Sequence, residues 1–230
     1  MNRKIRMVND EMHTIPFLNE QISNHFEDTR NCTREILHQT NQEGIYDNYI
    51  DVNDKVVLDI GANIGLFAIH VSPYPEKIYC VEPTPSHVQI LRDITKDFSN
   101  IEVIEAAISN ESGFVDFYSL DKNTTMNSLI DRGSIPFKVK SYSLPDLMNE
   151  LGLEKVDFCK IDIEGSEVIA LNDEIISSVS NRIKKFFIEF HWANGTNYDI
   201  HREHYSNIFK KHGYSVDNFS VDGIYCYKEI

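Results

Sequence analysis

Two acids, Asp59 and Glu82, each close a short apolar run, and a glycine-bracketed loop, Gly61-Ala62-Asn63-Ile64-Gly65, follows the first at once. In an open parallel sheet this layout brings both acids to the carboxyl ends of strands, where ligands bind. Gly61 and Gly65 carry no Cβ, so the backbone can approach a ligand closely there. A carboxylate at Glu82 can accept both hydroxyls of a ribose. The loop departs from G-x-G-x-x-G, the pattern that aims a helix N-terminus at a pyrophosphate, because Asn63 stands at the middle glycine. Asp59, two residues ahead of Gly61, repels a diphosphate and attracts an amine or a sulfonium. S-adenosylmethionine (SAM) has both cations, a ribose diol and no phosphate, so the charge pattern selects it over a nicotinamide dinucleotide.

A second group of ionisable residues closes two later apolar runs. Asp162-Ile163-Glu164-Gly165 follows residues 156–161, and Glu189-Phe190-His191 closes residues 185–190. Asp162 is expected near the transferable methyl, and Gly165 permits a sharp turn into the next helix. Glu164 either faces the site or serves the helix as a first-turn acid, and Glu167 reads as a first-turn acid. Glu189 and His191 are two apart and share one face of a strand. If a SAM methyl is passed to a hydroxyl, some group must take the hydroxyl proton. His191 titrates near the operating pH and is the natural candidate, with Asp162 beside it. A competing reading puts one Mg²⁺ on Asp162, Glu189 and His191, where it would hold and acidify the acceptor hydroxyl. Residues 123–129 offer hydroxyls and amides to a polyol, and residues 192–198 add Trp192 and Tyr198 as stacking surfaces. Polar loops are also often simply solvated.

The elements that must position these groups follow from periodicity. Strands are expected at 55–60, 77–82, 101–108, 114–120, 137–143, 156–161 and 185–190. Helices are expected at 64–72, 85–98 and 145–151, after Gly165, and at 200–212. Pro73 and Pro75 stop the first helix, and Pro85 suits the first turn of the second. Residues 123–134 read as a polar loop. Two last strands, 214–219 and 223–228, form a closing antiparallel hairpin about a turn at 220–222. This alternation from residue 55 onward is the signature of an α/β parallel sheet. Residues 1–54 are polar and irregular, with apolar positions that suggest one or two amphipathic helices, an N-terminal extension or cap on the domain at 55–230.

At 230 residues the chain can bury one substantial core. Its net charge of −14 argues against nucleic acid or an anionic membrane as the main partner and does not exclude a small neutral substrate. Cys32, Cys80, Cys159 and Cys226 are scattered and form no C-x-x-C pair, so they read as reduced thiols in a cytoplasmic protein. No apolar stretch is long enough to span a membrane, and no signal peptide is visible. A homodimer is compatible with everything above.

The order Asp59-Ile60-Gly61-Ala62-Asn63-Ile64-Gly65, Val81-Glu82-Pro83, Lys160-Ile161-Asp162-Ile163-Glu164-Gly165-Ser166-Glu167 and Glu189-Phe190-His191 resembles the FkbM-type SAM-dependent methyltransferases. The resemblance runs from Val56 to the C-terminus. It implies a class I, Rossmann-like fold with a seven-stranded, mostly parallel sheet, and methyl transfer to an oxygen of a sugar, glycan precursor or secondary metabolite. By that resemblance Gly61, Ala62, Asn63 and Gly65 line the methionine part of SAM. Pro83 and Thr84 begin the loop beyond the ribose acid, and Ala106 and Ala107 leave room for the adenine. Two rivals stand beside it: a SAM-binding interaction module without catalysis, and an NAD(P)-dependent oxidoreductase, which the missing glycine and Asp59 disfavour.

Overall fold

The computed structural model describes residues 46–230 apart from 52, 121, 122, 132–135, 194 and 196. The helices expected before residue 46 lie outside the described residues. In chain order the elements are β1 (Val56–Ile60), α1 (Leu66–Val71), β2 (Lys77–Val81), α2 (Pro85–Thr95), β3 (Ile101–Ile104), β4 (Ala107–Ile108), β5 (Gly113–Leu120), β6 (Asn123–Ser128), β7 (Pro136–Tyr142) and α3 (Leu144–Glu150). There follow β8 (Phe158–Ile161), α4 (Glu167–Ala170), α5 (Asp173–Val179), β9 (Lys185–Glu189), α6 (Tyr198–Lys211), β10 (Ser215–Asn218) and β11 (Gly223–Tyr227).

Seven strands form the main sheet in the order β10-β11-β9-β8-β1-β2-β3. β1 pairs in parallel with β2 and β8, and β11 runs antiparallel to β9 and β10. The expected seven-stranded, mostly parallel sheet with its closing hairpin is therefore present. β1 and β8 are buried on both faces, as near-continuous apolar runs require. Alternate residues divide between two cores. Leu58, Cys159, Phe186 and Ile188 meet the helices α3 to α6 on one side, and Val57, Phe158 and Phe187 meet α1 on the other. Phe158, Phe186 and Phe187 are fully buried, each contributing about 1.5–3 kcal/mol of burial free energy.

Three expectations change. The strand expected at 101–108 breaks after Ile104, and Ala107–Ile108 leaves for a second sheet of order β4-β7-β5-β6. Residues 123–128, expected as loop, form β6 of that sheet, because β5 offers a partner edge that periodicity does not reveal. The helix expected after Gly165 is two short helices. Asn172 separates them, its side chain accepting from Ile175 N at 2.8 Å as the cap of α5.

The described residues just ahead of β1 pack on the core. Tyr46 packs on Phe67 and Phe187 with ring centroids 4.8 and 5.0 Å away, and Asp54 holds Lys185 at 2.7 Å. Cys80, Cys159 and Cys226 are free and buried. Among the described residues no helix is long and apolar enough to cross a membrane.

Candidate active site

The glycine loop is held from below and from the side. Gly61 N and Ala62 N both donate to Val81 O, at 3.0 and 3.1 Å, tying the loop to the end of β2. Gly61 has φ 79°, and a Cβ there would stand 1.8 Å from the Asp162 carbonyl oxygen. The loop thus crosses directly over the turn after β8, which only glycine allows. Asn63 adopts φ 51°, a left-handed conformation that asparagine tolerates better than most residues.

Glu82 organises this corner. Its Oε2 accepts from Asn63 N at 3.0 Å, and its Oε1 accepts from Thr84 N at 2.9 Å and faces His87 Nδ1 at 3.3 Å. Burial alone would raise its carboxyl, but His87 and the Thr84 amide outweigh it and hold Glu82 below the usual carboxylate range. His87 was not visible as a site residue in the sequence. Pro83 and Thr84 are buried behind the acid. Ala106 and Ala107 are buried at the kink where the chain passes to the second sheet.

Asp59 is wholly buried, and no hydrogen bond reaches either of its carboxylate oxygens. The amine beside it is the chain's own: Lys160 Nζ lies 3.5 Å from Asp59 Oδ1 and 3.2 Å from Asp162 Oδ2. Burial pushes Asp59 up to about 6, against the pull of Lys160. Lys160 stays firmly protonated, because Asp162 and Asp59 together overcome the cost of its burial. Asp162 resists the same cost: Lys160 and His191 hold its carboxyl below the ordinary value.

His191 sits among four carboxylates. Its Nδ1 faces Glu167 Oε1 at 3.3 Å, and its Nε2 faces Asp162 at 3.7 Å, Glu164 at 3.8 Å and Glu189 at 4.0 Å. Burial works to lower its pKa, yet Glu167, Asp162 and Glu164 raise it to about 10, so the ring is an imidazolium at neutral pH. Glu189 moves the other way from an ordinary carboxyl. Burial first, then the Asp162 charge, raises it well above the usual range.

The candidates expected from sequence therefore converge at the carboxyl ends of β1, β2, β8 and β9. They form two tiers. Gly61, Asn63, Asp162, Glu164, Glu189 and His191 are partly exposed, and Asp59, Glu82, Lys160 and Glu167 are buried behind them. Five carboxyl groups (Asp59, Asp162, Glu164, Glu167 and Glu189) face two basic ones (Lys160 and His191). That surplus suits an incoming cation.

The set whose ligand atoms could share a metal differs by one residue from the expected one. Asp162, Glu164 and His191 lie within 4.8 Å of one another, with Glu164 standing where Glu189 was expected. The donors fit Mg²⁺ poorly: a hard cation prefers an all-oxygen octahedron, and the imidazolium must first lose its proton.

The end of β6 and the residue after it touch both the loop beyond Glu82 and the turn after β8. Asn127 Nδ2 donates to Thr84 Oγ1 at 3.1 Å, and Ser166 Oγ accepts from Leu129 N at 2.9 Å. Trp192 is exposed beside His191.

The family model of the methyltransferase FkbM domain matches residues 59–216, which spans the loop, both acid pairs and the helical cover. This chain belongs to that family. It is 28% identical over 146 residues to the 2-O-methyltransferase NoeI of Sinorhizobium fredii, covering 54% of this chain and 60% of that one. It is 27% identical over 155 residues to the methyltransferase sdnD of Sordaria araneosa, covering 52% and 60%. The matches thus span about three fifths of the length of each relative. The crystal structure of a methyltransferase FkbM from Methylobacillus flagellatus aligns with a TM-score of 0.51 at 19% identity, covering 77% of this chain and 44% of that one. The fold they share is the class I methyltransferase fold.

Proposed function

We propose that the chain transfers the methyl group of SAM to a hydroxyl oxygen, on a sugar, a glycan precursor or a secondary metabolite. The observation that carries this reading is the two-tier cluster in which the glycine loop, Glu82, Asp162, Glu189 and His191 meet at one end of the sheet. The surplus of carboxyl groups over basic ones around His191 and Lys160 fits a cationic cofactor with no phosphate. Membership of the FkbM family supports methyl transfer, and similarity to the 2-O-methyltransferase NoeI supports oxygen as the acceptor atom.

Gly61, Ala62, Asn63 and Gly65 would cradle the methionine portion, and Glu82 with Pro83 the ribose. SAM supplies an electrophilic methyl on a sulfonium. The remaining work belongs to the chain. Asp162 stays ionised and fixes Lys160. Glu189, whose proton affinity is raised toward the working pH, takes the hydroxyl proton as the acceptor oxygen bonds to carbon. His191, held positive, orients the acceptor and balances the neighbouring carboxylates. Alignment of oxygen and methyl is the larger contribution. Trp192, exposed next to His191 in the chain, offers a sugar a stacking face. Buried, free thiols fit a reducing, cytoplasmic setting.

The test is a methylation assay with tritiated SAM against parallel panels of methyl glycosides, phenols and primary amines. Label transfer to hydroxyl compounds supports the proposal. Transfer confined to amines would contradict it.

A further inference from the structure

Glu167 does not do what its position at the start of α4 suggests. A first-turn acid that serves a helix dipole ordinarily lies in solvent. Glu167 is wholly buried. Its Oε1 accepts from Ile163 N at 2.9 Å, which braces the turn after Asp162, and the same oxygen faces His191 Nδ1 at 3.3 Å. Its Oε2 is buried with no hydrogen-bond partner. The backbone around it is clamped too, since Tyr205 Oη donates to Leu171 O at 2.9 Å across the end of α4. A buried carboxylate is costly unless a cation or several donors compensate it, and the His191 ring is the cation within reach.

We infer that Glu167 is a positioning residue that keeps a proton on His191 Nδ1 and so presents Nε2 to the acceptor side of the cleft. The inference rests on the methyl-transfer reading of this site. A carboxylate fixing the tautomer and orientation of a working imidazole is a recurrent device in unrelated enzymes. Here the carboxylate also braces the backbone of the Asp162 turn, so one side chain sets the relative position of both groups. Nε2 then faces Asp162, Glu164 and Glu189, with Lys160 behind Asp162.

The experiment is ¹⁵N NMR of the His191 ring in the full chain and in Glu167→Gln, followed through alkaline pH, with calorimetric titration of SAM on both proteins. Gln keeps the carbonyl that accepts from Ile163 N but removes the charge. The wild-type ring should lose Nε2–H first and remain protonated at Nδ1. In Glu167→Gln the ring should become neutral at least tenfold more readily, about one pH unit lower, with the Nε2–H form appearing. The wild-type protein should bind SAM. A neutral wild-type ring carrying its proton on Nε2 overturns the inference, and this readout needs no variant to fold. The same ring behaviour in both proteins also overturns it. Failure of wild-type protein to bind SAM would instead sink the underlying methyl-transfer reading.

Discussion

Lys160 Nζ stands 3.5 Å from Asp59 Oδ1, and both side chains are buried. The acid that the sequence assigns to a ligand amine is thus already facing an amine of the chain. Asp162 completes the group at 3.2 Å from the same nitrogen. Breaking a buried ion group by deleting one partner leaves uncompensated charge. Lys160→Met should therefore lower the unfolding free energy by about 3–5 kcal/mol in urea denaturation. A loss below about 1 kcal/mol would show that the three side chains are not coupled as their geometry requires.

The His191 ring makes stability depend on pH. Its pKa rises from an ordinary 6.5 to about 10 in the folded chain. A base whose pKa is raised by folding stabilises fully below the unfolded value and loses that contribution as pH climbs through the folded one. The unfolding free energy should therefore decline between pH 6.5 and about 10. His191→Gln should flatten that decline. Parallel curves for the two proteins would contradict the assignment.

Activity should show a different profile. Glu189 must be ionised to take a proton, and its pKa is raised by burial and by Asp162. kcat/KM should rise with pH as Glu189 ionises, then fall as His191 loses its proton near pH 10. Glu189→Gln should lower kcat by about 10²–10⁴-fold and remove the lower limb. An unchanged lower limb in that variant would transfer the role to another group.

Gly61 tests the crossing of the two loops. Gly61→Ala must fit a Cβ 1.8 Å from the Asp162 carbonyl oxygen at φ 79°. The cost should be about 2–5 kcal/mol, combining left-handed strain with overpacking. Gly152 has φ 65° with nothing within 4 Å of a Cβ, so Gly152→Ala isolates the strain alone, about 1–2 kcal/mol. Equal costs at the two positions would mean that the loops can separate.

Trp192 addresses the acceptor. Trp192→Ala should raise the acceptor KM about tenfold or more and leave the SAM KM alone, as loss of a stacking face predicts. Equal effects on both would show that this residue shapes the cofactor site instead.

Much of this fold was legible because β1, β2, β8 and β9 are short apolar runs that end in acids. Such runs fix both burial and the end of the sheet at which the acids emerge. β6 was not legible. Asn123–Ser128 has no apolar alternation, and its strand conformation comes from pairing with β5. At the site, Asp162, Glu189 and His191 were readable from their place after apolar strands. Lys160, His87 and Glu167 were not. Lys160 lies inside an otherwise apolar strand, and a single lysine there gives no hint that two acids flank it. His87 and Glu167 sit in helical first turns, where a polar side chain is ordinarily solvent-facing. Tyr46 lies ahead of the matched family domain, yet it buries its ring against Phe67 and Phe187.

Calorimetric titration of the full chain with SAM, beside Glu82→Ala and with NADH as the control ligand, tests the central claim most directly. Micromolar SAM binding by the wild type, loss of at least about 2 kcal/mol of binding free energy in Glu82→Ala and silence toward NADH are the predicted results. Wild-type SAM affinity in Glu82→Ala, or no SAM binding at all, would contradict the account.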